Sequence, residues 1–339
     1  MITGNNMEPS SCDSLFQETP DVALSLMSMI EKEQSIYRSY DYINSPTQRC
    51  IITESDRMKI VDWCYSIVDK CKFERETVLL AMQLVDRFLS TSTSDLVKGA
   101  LLSRERFQLV AIASLYIAVK VNENAKVAFS SDAFSEMSEG IYSKHDIEDM
   151  EMSILESLSW RVYAPTSWQI AQHILTLLVP NVDLRATKWS YIFDEVQFHT
   201  EFAVRDYYFA TQRTSTVALA AIFNVVDHVD HQDRRDILHS LLFVLNEDFE
   251  SPKELFAAWD RLRYFLGENA SVANNDSDIP ASVSEETAEC YDDQQELVVS
   301  QCGSPVTATD DCCRQENILC VEIGNRDLGS AKVCQRAIG

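Results

Sequence analysis

Residues 104–121 read Arg-Glu-Arg-Phe-Gln-Leu-Val-Ala-Ile-Ala-Ser-Leu-Tyr-Ile-Ala-Val-Lys-Val, and this stretch decides the fold. Past its first turn it has no wide polar face, and Ala111, Ala113 and Ala118 alternate with large aliphatic residues. A helix that is apolar nearly all round has to be surrounded by protein. The segment therefore predicts the central helix of a bundle, with its neighbours in sequence forming the shell.

Those neighbours carry the matching periodicity. From Ser55 the apolar positions are Ile60, Trp63, Cys64, Ile67 and Val68, and a second helix from Arg75 to Leu89 carries Val78, Leu79, Met82 and Val85. A short helix near Ser131–Met137 follows. A fifth opens at Ser143, with Asp146 as the acid of a capping box, and runs through Met150, Ile154, Leu155 and Leu158. Ala164-Pro165-Thr166 breaks the pattern, and Thr166 with Gln169 restarts it as another capping box. Four more helical segments lie near 186–205, 214–227, 233–245 and 251–266. Val217–Val226 is again apolar all round, with Ala218, Ala220 and Ala221 inside it.

The fold class is therefore all-α, as tandem five-helix bundles over 55–163 and 164–267. A flexible stretch (1–18) and an N-terminal helix with its linker (19–54) come first. That helix opens at Thr19-Pro20-Asp21, with proline in the first turn where its missing N–H costs nothing. An acidic, mostly disordered tail (268–339) comes last, with a weak apolar patch at Ile318–Ile323 that could order on a partner.

Composition narrows the function classes. The 339 residues hold 29 Lys and Arg against 53 Asp and Glu, a net charge of −24. From Glu268 onward there are 14 acids and 4 bases. Such a field repels phosphate backbones and anionic lipid, so neither nucleic acid nor a membrane is expected as a direct partner. No run reaches the roughly 18–20 apolar residues of a spanning helix. The ten cysteines show neither zinc nor redox spacing and are expected to be reduced thiols. His228 and His231 beside Asp227 and Asp230 have too few companions for a metal, so no metal and no cofactor is expected. No phosphate loop, nucleophile elbow or HExxH motif points to an enzyme.

One pair of charges stands out against this frame. Lys120 ends the central helix, and Glu151 lies in the first half of the fifth, with Ile117, Val121, Leu155, Trp160 and Val162 nearby. If the two helices pack side by side, a base and an acid flank an apolar trough. Such a trough can take the side chains of a docked helix while the charges bond its backbone. Spacing alone leaves the plainer reading open, a surface salt bridge worth under ~1 kcal/mol.

The run Arg57-Met58-Lys59-Ile60-Val61-Asp62-Trp63, then Leu84-Val85-Asp86-Arg87-Phe88-Leu89-Ser90, then Leu109 to Lys120, then Met150-Glu151, resembles the cyclin box. Arg57, Asp86, Leu109, Lys120 and Glu151 fall in order on that family's signature positions. The resemblance covers about residues 55–160; the second bundle is similar in helical pattern but hardly in motifs. It implies a regulatory subunit, not an enzyme, that allosterically activates a cyclin-dependent Ser/Thr kinase in cell-cycle progression. Lys120 and Glu151 would grip the kinase's movable helix, Trp160 would face the kinase, and Arg57 and Asp86 would form an internal ion pair. Leu109 and Trp63 would be core residues.

Glu31-Lys32-Glu33 and Tyr40-Asp41-Tyr42-Ile43 resemble the segment before the box in D-type cyclins, which implies action at G1/S. The Leu-x-Cys-x-Glu motif of those cyclins is missing around Cys12. The family's docking patch, Met-Arg-Ala-Ile-Leu, reads Asp56-Arg57-Met58-Lys59-Ile60 here, which disfavours Arg-x-Leu docking. Thr19-Pro20, Ser45-Pro46 and Ser304-Pro305 are minimal proline-directed phosphorylation sites. Phosphate on Ser304 would create a tail signal for a ubiquitin ligase. The resemblance also implies nuclear and cytoplasmic residence. Rival readings are a cyclin-fold adaptor for a transcriptional or nutrient-responsive kinase and a cyclin-fold transcription factor, the last opposed by the charge.

Overall fold

A computed structural model describes residues 11–45, 49–91, 94–123, 130–245 and 252–275. Among these residues there are helices and no strand. In the first half, α2 (Glu54–Cys71), α3 (Glu76–Ser90), α4 (Asp95–Leu101), α6 (Ser131–Met137) and α7 (Lys144–Ser157) all pack on α5 (Arg104–Asn122). The central helix is buried on every side, from Phe107 through Val119, save Leu109, which is partly buried against the core. Capping places the ends. Ser143 and Asp146 close the predicted box at the start of α7, and Thr53 and Asp56 form another that opens α2.

Between α3 and α5, where the sequence reading places no element, the chain forms α4. Ser94 accepts the Val97 amide at 3.2 Å, and Val97, Ala100 and Leu101 are buried. The segment is too short for its periodicity to register in a helical window, so packing and the cap decide it.

In the second half, α11 (Thr214–Val226) is the surrounded helix, against α8 (Ser167–Leu178), α9 (Ala186–Ala203) and α13 (Pro252–Asn275). The short α10 (Tyr207–Ala210) and α12 (His231–Leu245) complete the group. The Thr166/Gln169 box opens α8 as predicted. Two bounds differ from the sequence reading. Helix α13 runs to Asn275, past the expected end of order at residue 267. Helix α1 (Ser11–Ser35) begins before Thr19, because Ser-Cys-Asp-Ser-Leu-Phe-Gln-Glu contains no breaker, and Pro20 sits inside it at the cost of one backbone hydrogen bond. The acidic tail from residue 276, with Ser304, the 318–323 patch and its six cysteines, lies outside the described residues; so does Ser251.

Helix α1 packs on α8, in the second half. Its Glu33 is buried and accepts the Ser215 amide at 2.8 Å and the Ser215 hydroxyl, so a carboxylate sits at the positive end of α11.

The two halves are joined through Arg57. Its Nε and Nη2 donate to the two oxygens of Asp86 at 2.9 and 2.7 Å, linking α2 to α3, and its Nη1 donates to the Val204 carbonyl at 2.6 Å. Tyr42 donates to Asp86 at 2.8 Å. The Tyr207 hydroxyl accepts the amides of Tyr42 and Ile43 at 2.9 and 3.1 Å and donates to Asp41 at 3.0 Å. Arg57 is 2% exposed, and the Asp86 charge holds its proton against the burial that would otherwise favour losing it. A second bridge uses Arg75, which donates to Glu201 at 2.7 Å, and Arg205, which donates to Asp62 at 2.7 Å.

Candidate partner-helix binding site

Lys120 lies in the last turn of α5, where a cation suits the negative end of the helix. That end is fixed from α3. Glu123 accepts the Thr77 hydroxyl at 2.5 Å and the Glu74 amide at 3.1 Å, and Asn122 donates to Thr77 at 2.9 Å. The ammonium of Lys120 lies 4.1 Å from the centre of the Tyr116 ring, one turn back, and pairs with Glu151 across the α5–α7 contact. The Glu151 side chain is 11% exposed, whereas Lys120 keeps 42%. The acid is thus set in the floor, and the base stands over it, held by that pair and by the Tyr116 ring.

Helix α7 ends in an unusual way. The Trp160 amide donates to the Leu155 carbonyl at 2.8 Å and the Ser159 amide to Glu156 at 3.0 Å, the paired bonds of a Schellman motif. The left-handed position that glycine favours is taken by Ser159, at φ 53°, and Trp160 follows at φ 61°. Each costs roughly 1 kcal/mol of backbone strain. The turn then continues under tension from α3, since Arg87 donates to the Arg161 carbonyl at 2.8 Å. Burial lowers the Arg87 pKa to about 10. The product of this geometry is an indole that is 62% exposed, nine residues after Glu151, with Tyr163 also exposed beyond it. A large apolar side chain held out in water by strained backbone is the shape of a contact residue.

The other residues picked from the sequence divide in two. Val121 and Val162 are partly buried beside the core. Ile117 and Leu155 are 2% and 8% exposed, so they form the floor beneath the pair and offer almost no surface to a partner. The trough read from the sequence is accordingly shallower than its residue list implies. Of the two expected core residues, Trp63 is buried and Leu109 only partly so.

The docking-patch frame on α2 is charged at its surface. Asp56 is spent on the Thr53 cap and on Arg104, at 3.2 Å, and Ile60 and Trp63 are buried, while Lys59 is exposed. Burial pushes the Asp56 pKa up, but the Thr53 bonds and Arg104 outweigh it and hold it below the usual carboxylate value. Ser45 is partly buried; Thr19 lies within α1. Near the two histidines, Asp227 pairs with Arg234 at 2.5 Å, and no metal-ligating cluster occurs among the described residues. The sequence reading named Glu33 and Tyr42 only for their likeness to D-type cyclins, not for these bonds, and it missed Tyr207 and Arg205.

The first half thus presents an exposed base over a recessed acid on the α5–α7 face, and an exposed tryptophan just past the end of α7. Residues 25–163 match the cyclin N-terminal domain. The chain is similar to a putative cyclin-A3-1 of Arabidopsis thaliana, 26% identical over 51% of this chain and 45% of that protein. It is likewise similar to the G2/mitotic-specific cyclin-2 of Medicago sativa, 27% identical over 50% of this chain and 48% of that one. The matched region thus spans about half the length of these relatives. Among solved structures, a viral cyclin from herpesvirus saimiri shares the fold, at a TM-score of 0.52 and 13% identity over 74% of this chain and 97% of that one. Residues 25–163 thus carry a domain of the cyclin N-terminal family. No described helix is long and apolar enough to cross a membrane.

Proposed function

We propose that the protein is the regulatory subunit of a cyclin-dependent Ser/Thr kinase and activates it by holding one kinase helix against the α5–α7 face. The observation that carries this is the Lys120–Glu151 pair across α5 and α7, an exposed base over a recessed acid at the positions the family motif names; the exposed Trp160 on the strained turn after α7 supports it. Docking there would swing the kinase helix inward, bring its glutamate to the catalytic lysine and help order the activation loop. The chain supplies no reacting group; binding energy selects one conformation of the kinase. Action in the nucleus and cytoplasm, and removal through a ubiquitin ligase that reads phosphorylated Ser304, belong to the same proposal.

A D-type role at G1/S rests on Glu31–Glu33 and Tyr40–Ile43 alone. Two residues of these segments have structural duties, Glu33 at the start of α11 and Tyr42 on Asp86, that any subtype could use. The relatives reported above are A-type and mitotic cyclins.

The test is a pull-down from source-cell extract with wild-type chain and with the Lys120→Ala/Glu151→Ala double variant, assaying histone kinase activity on the beads. Activity with wild type and none with the variant is expected. Equal activity on both would move the kinase contact elsewhere; none on either would favour an adaptor.

A further inference from the structure

A second apolar surface lies far along the chain from the clamp. Helices α11, α12 and α13 enclose a cavity of about 180 Å³, lined by Phe223, Val226, Leu238, Leu255, Phe256 and Trp259. Phe256 is 60% exposed at its edge, and Leu242, one turn beyond Leu238 on α12, is 75% exposed. The indole N–H of Trp259 is buried with no hydrogen-bond partner, which leaves a donor waiting for an acceptor. At the rim, Arg234 and Arg263 both approach the single carboxylate of Asp227, at 2.5 and 3.8 Å. Two cations on one anion leave that rim one positive charge in excess, in a chain of net charge −24.

An occupant therefore needs a short aliphatic run with acidic residues beside it. The chain carries one. Asp292-Asp293-Gln294-Gln295-Glu296-Leu297-Val298-Val299 puts three acids within five residues before three aliphatics. The other apolar run of the tail, Ile318–Ile323, has Glu316 and Glu322 offset by Arg314 and Arg326, a net charge of zero over 314–326 against −3 over 292–299, so the rim favours the latter. Reach is ample. From Trp259 to Asn275 helix α13 rises roughly 24 Å, and the 22 residues from Asn275 to Leu297 extend to roughly 70 Å.

We propose that residues 292–299 of the tail dock in cis on the α11–α12–α13 groove, with Leu297–Val299 in the cavity and the acids against Arg234 and Arg263. The tail would then cover the exposed apolar edge of this groove at Phe256. The docking is independent of the kinase clamp.

The test is hydrogen exchange on the full chain, comparing wild type with the Leu297→Asp/Val298→Asp/Val299→Asp variant. Opening of a docked segment sets local protection, so exchange across residues 234–242 and 255–263 is expected to quicken about tenfold in the variant, with α5 and α7 unchanged. A synthetic peptide of residues 290–301, added to that variant, should restore protection, and should fail to do so when Arg234→Glu is also present. Unchanged exchange in the tail variant, or a peptide that protects regardless of Arg234→Glu, would overturn the proposal.

Discussion

Arg57 shows how much one side chain can hold. The sequence marks it as half of an ion pair with Asp86, and that pair is present. What the sequence leaves unseen is its third bond, to the Val204 carbonyl, 147 positions away. A motif encodes neighbours within its own pattern, whereas a backbone carbonyl has no residue identity to read. Arg57→Ala would leave Asp86 buried with only Tyr42 as partner, and stranding such a charge costs roughly 3–5 kcal/mol. Urea denaturation should show a loss of that size; a loss under ~1 kcal/mol would mean the hub is solvated. Ser159 makes the opposite case. Replacing it with glycine removes left-handed strain and should stabilise the fold by up to about 1 kcal/mol, less the extra freedom glycine gives the unfolded chain. A drop in melting temperature for Ser159→Gly would show that the serine has a role the backbone does not reveal.

Among the elements, legibility followed periodicity. The two surrounded helices, α5 and α11, were evident because apolar residues on every side leave no alternative to burial. Capping boxes located the starts of α7 and α8 to the residue. Helix α4 escaped because seven residues hold too few turns to show a period, and α13 outran its sequence limit because Glu268–Asn275 has a single large apolar residue, Val272, too little to show a period. The segment before α2 was read for its likeness to D-type cyclins, yet its tertiary duty is the Tyr207 contact. The Tyr207 hydroxyl takes two backbone amides of that segment. Tyr207→Phe would leave them without an acceptor, which costs about 2 kcal/mol in total. Exchange of the Tyr42 and Ile43 amides should rise with it, and unaltered protection there would show that the segment is held by packing alone.

On the scale of the whole molecule, the bridges through Arg57, Arg75 and Arg205, with α1 laid across to α8, tie the clamp on the first half to the frame of the second. Lys120 and Glu151 were singled out because a family motif names them, and they pair across α5 and α7. The shallowness of the trough was not legible in the sequence, because burial of Ile117 and Leu155 depends on how closely α5 and α7 approach. The most direct measurement is a titration of the purified kinase partner with wild-type chain and with Lys120→Ala, each first shown to be folded by its thermal transition. Truncating one member of a recessed charge pair at an interface costs at least about 2 kcal/mol, so affinity should fall roughly 30-fold or more. Equal affinity for the folded variant would contradict the account.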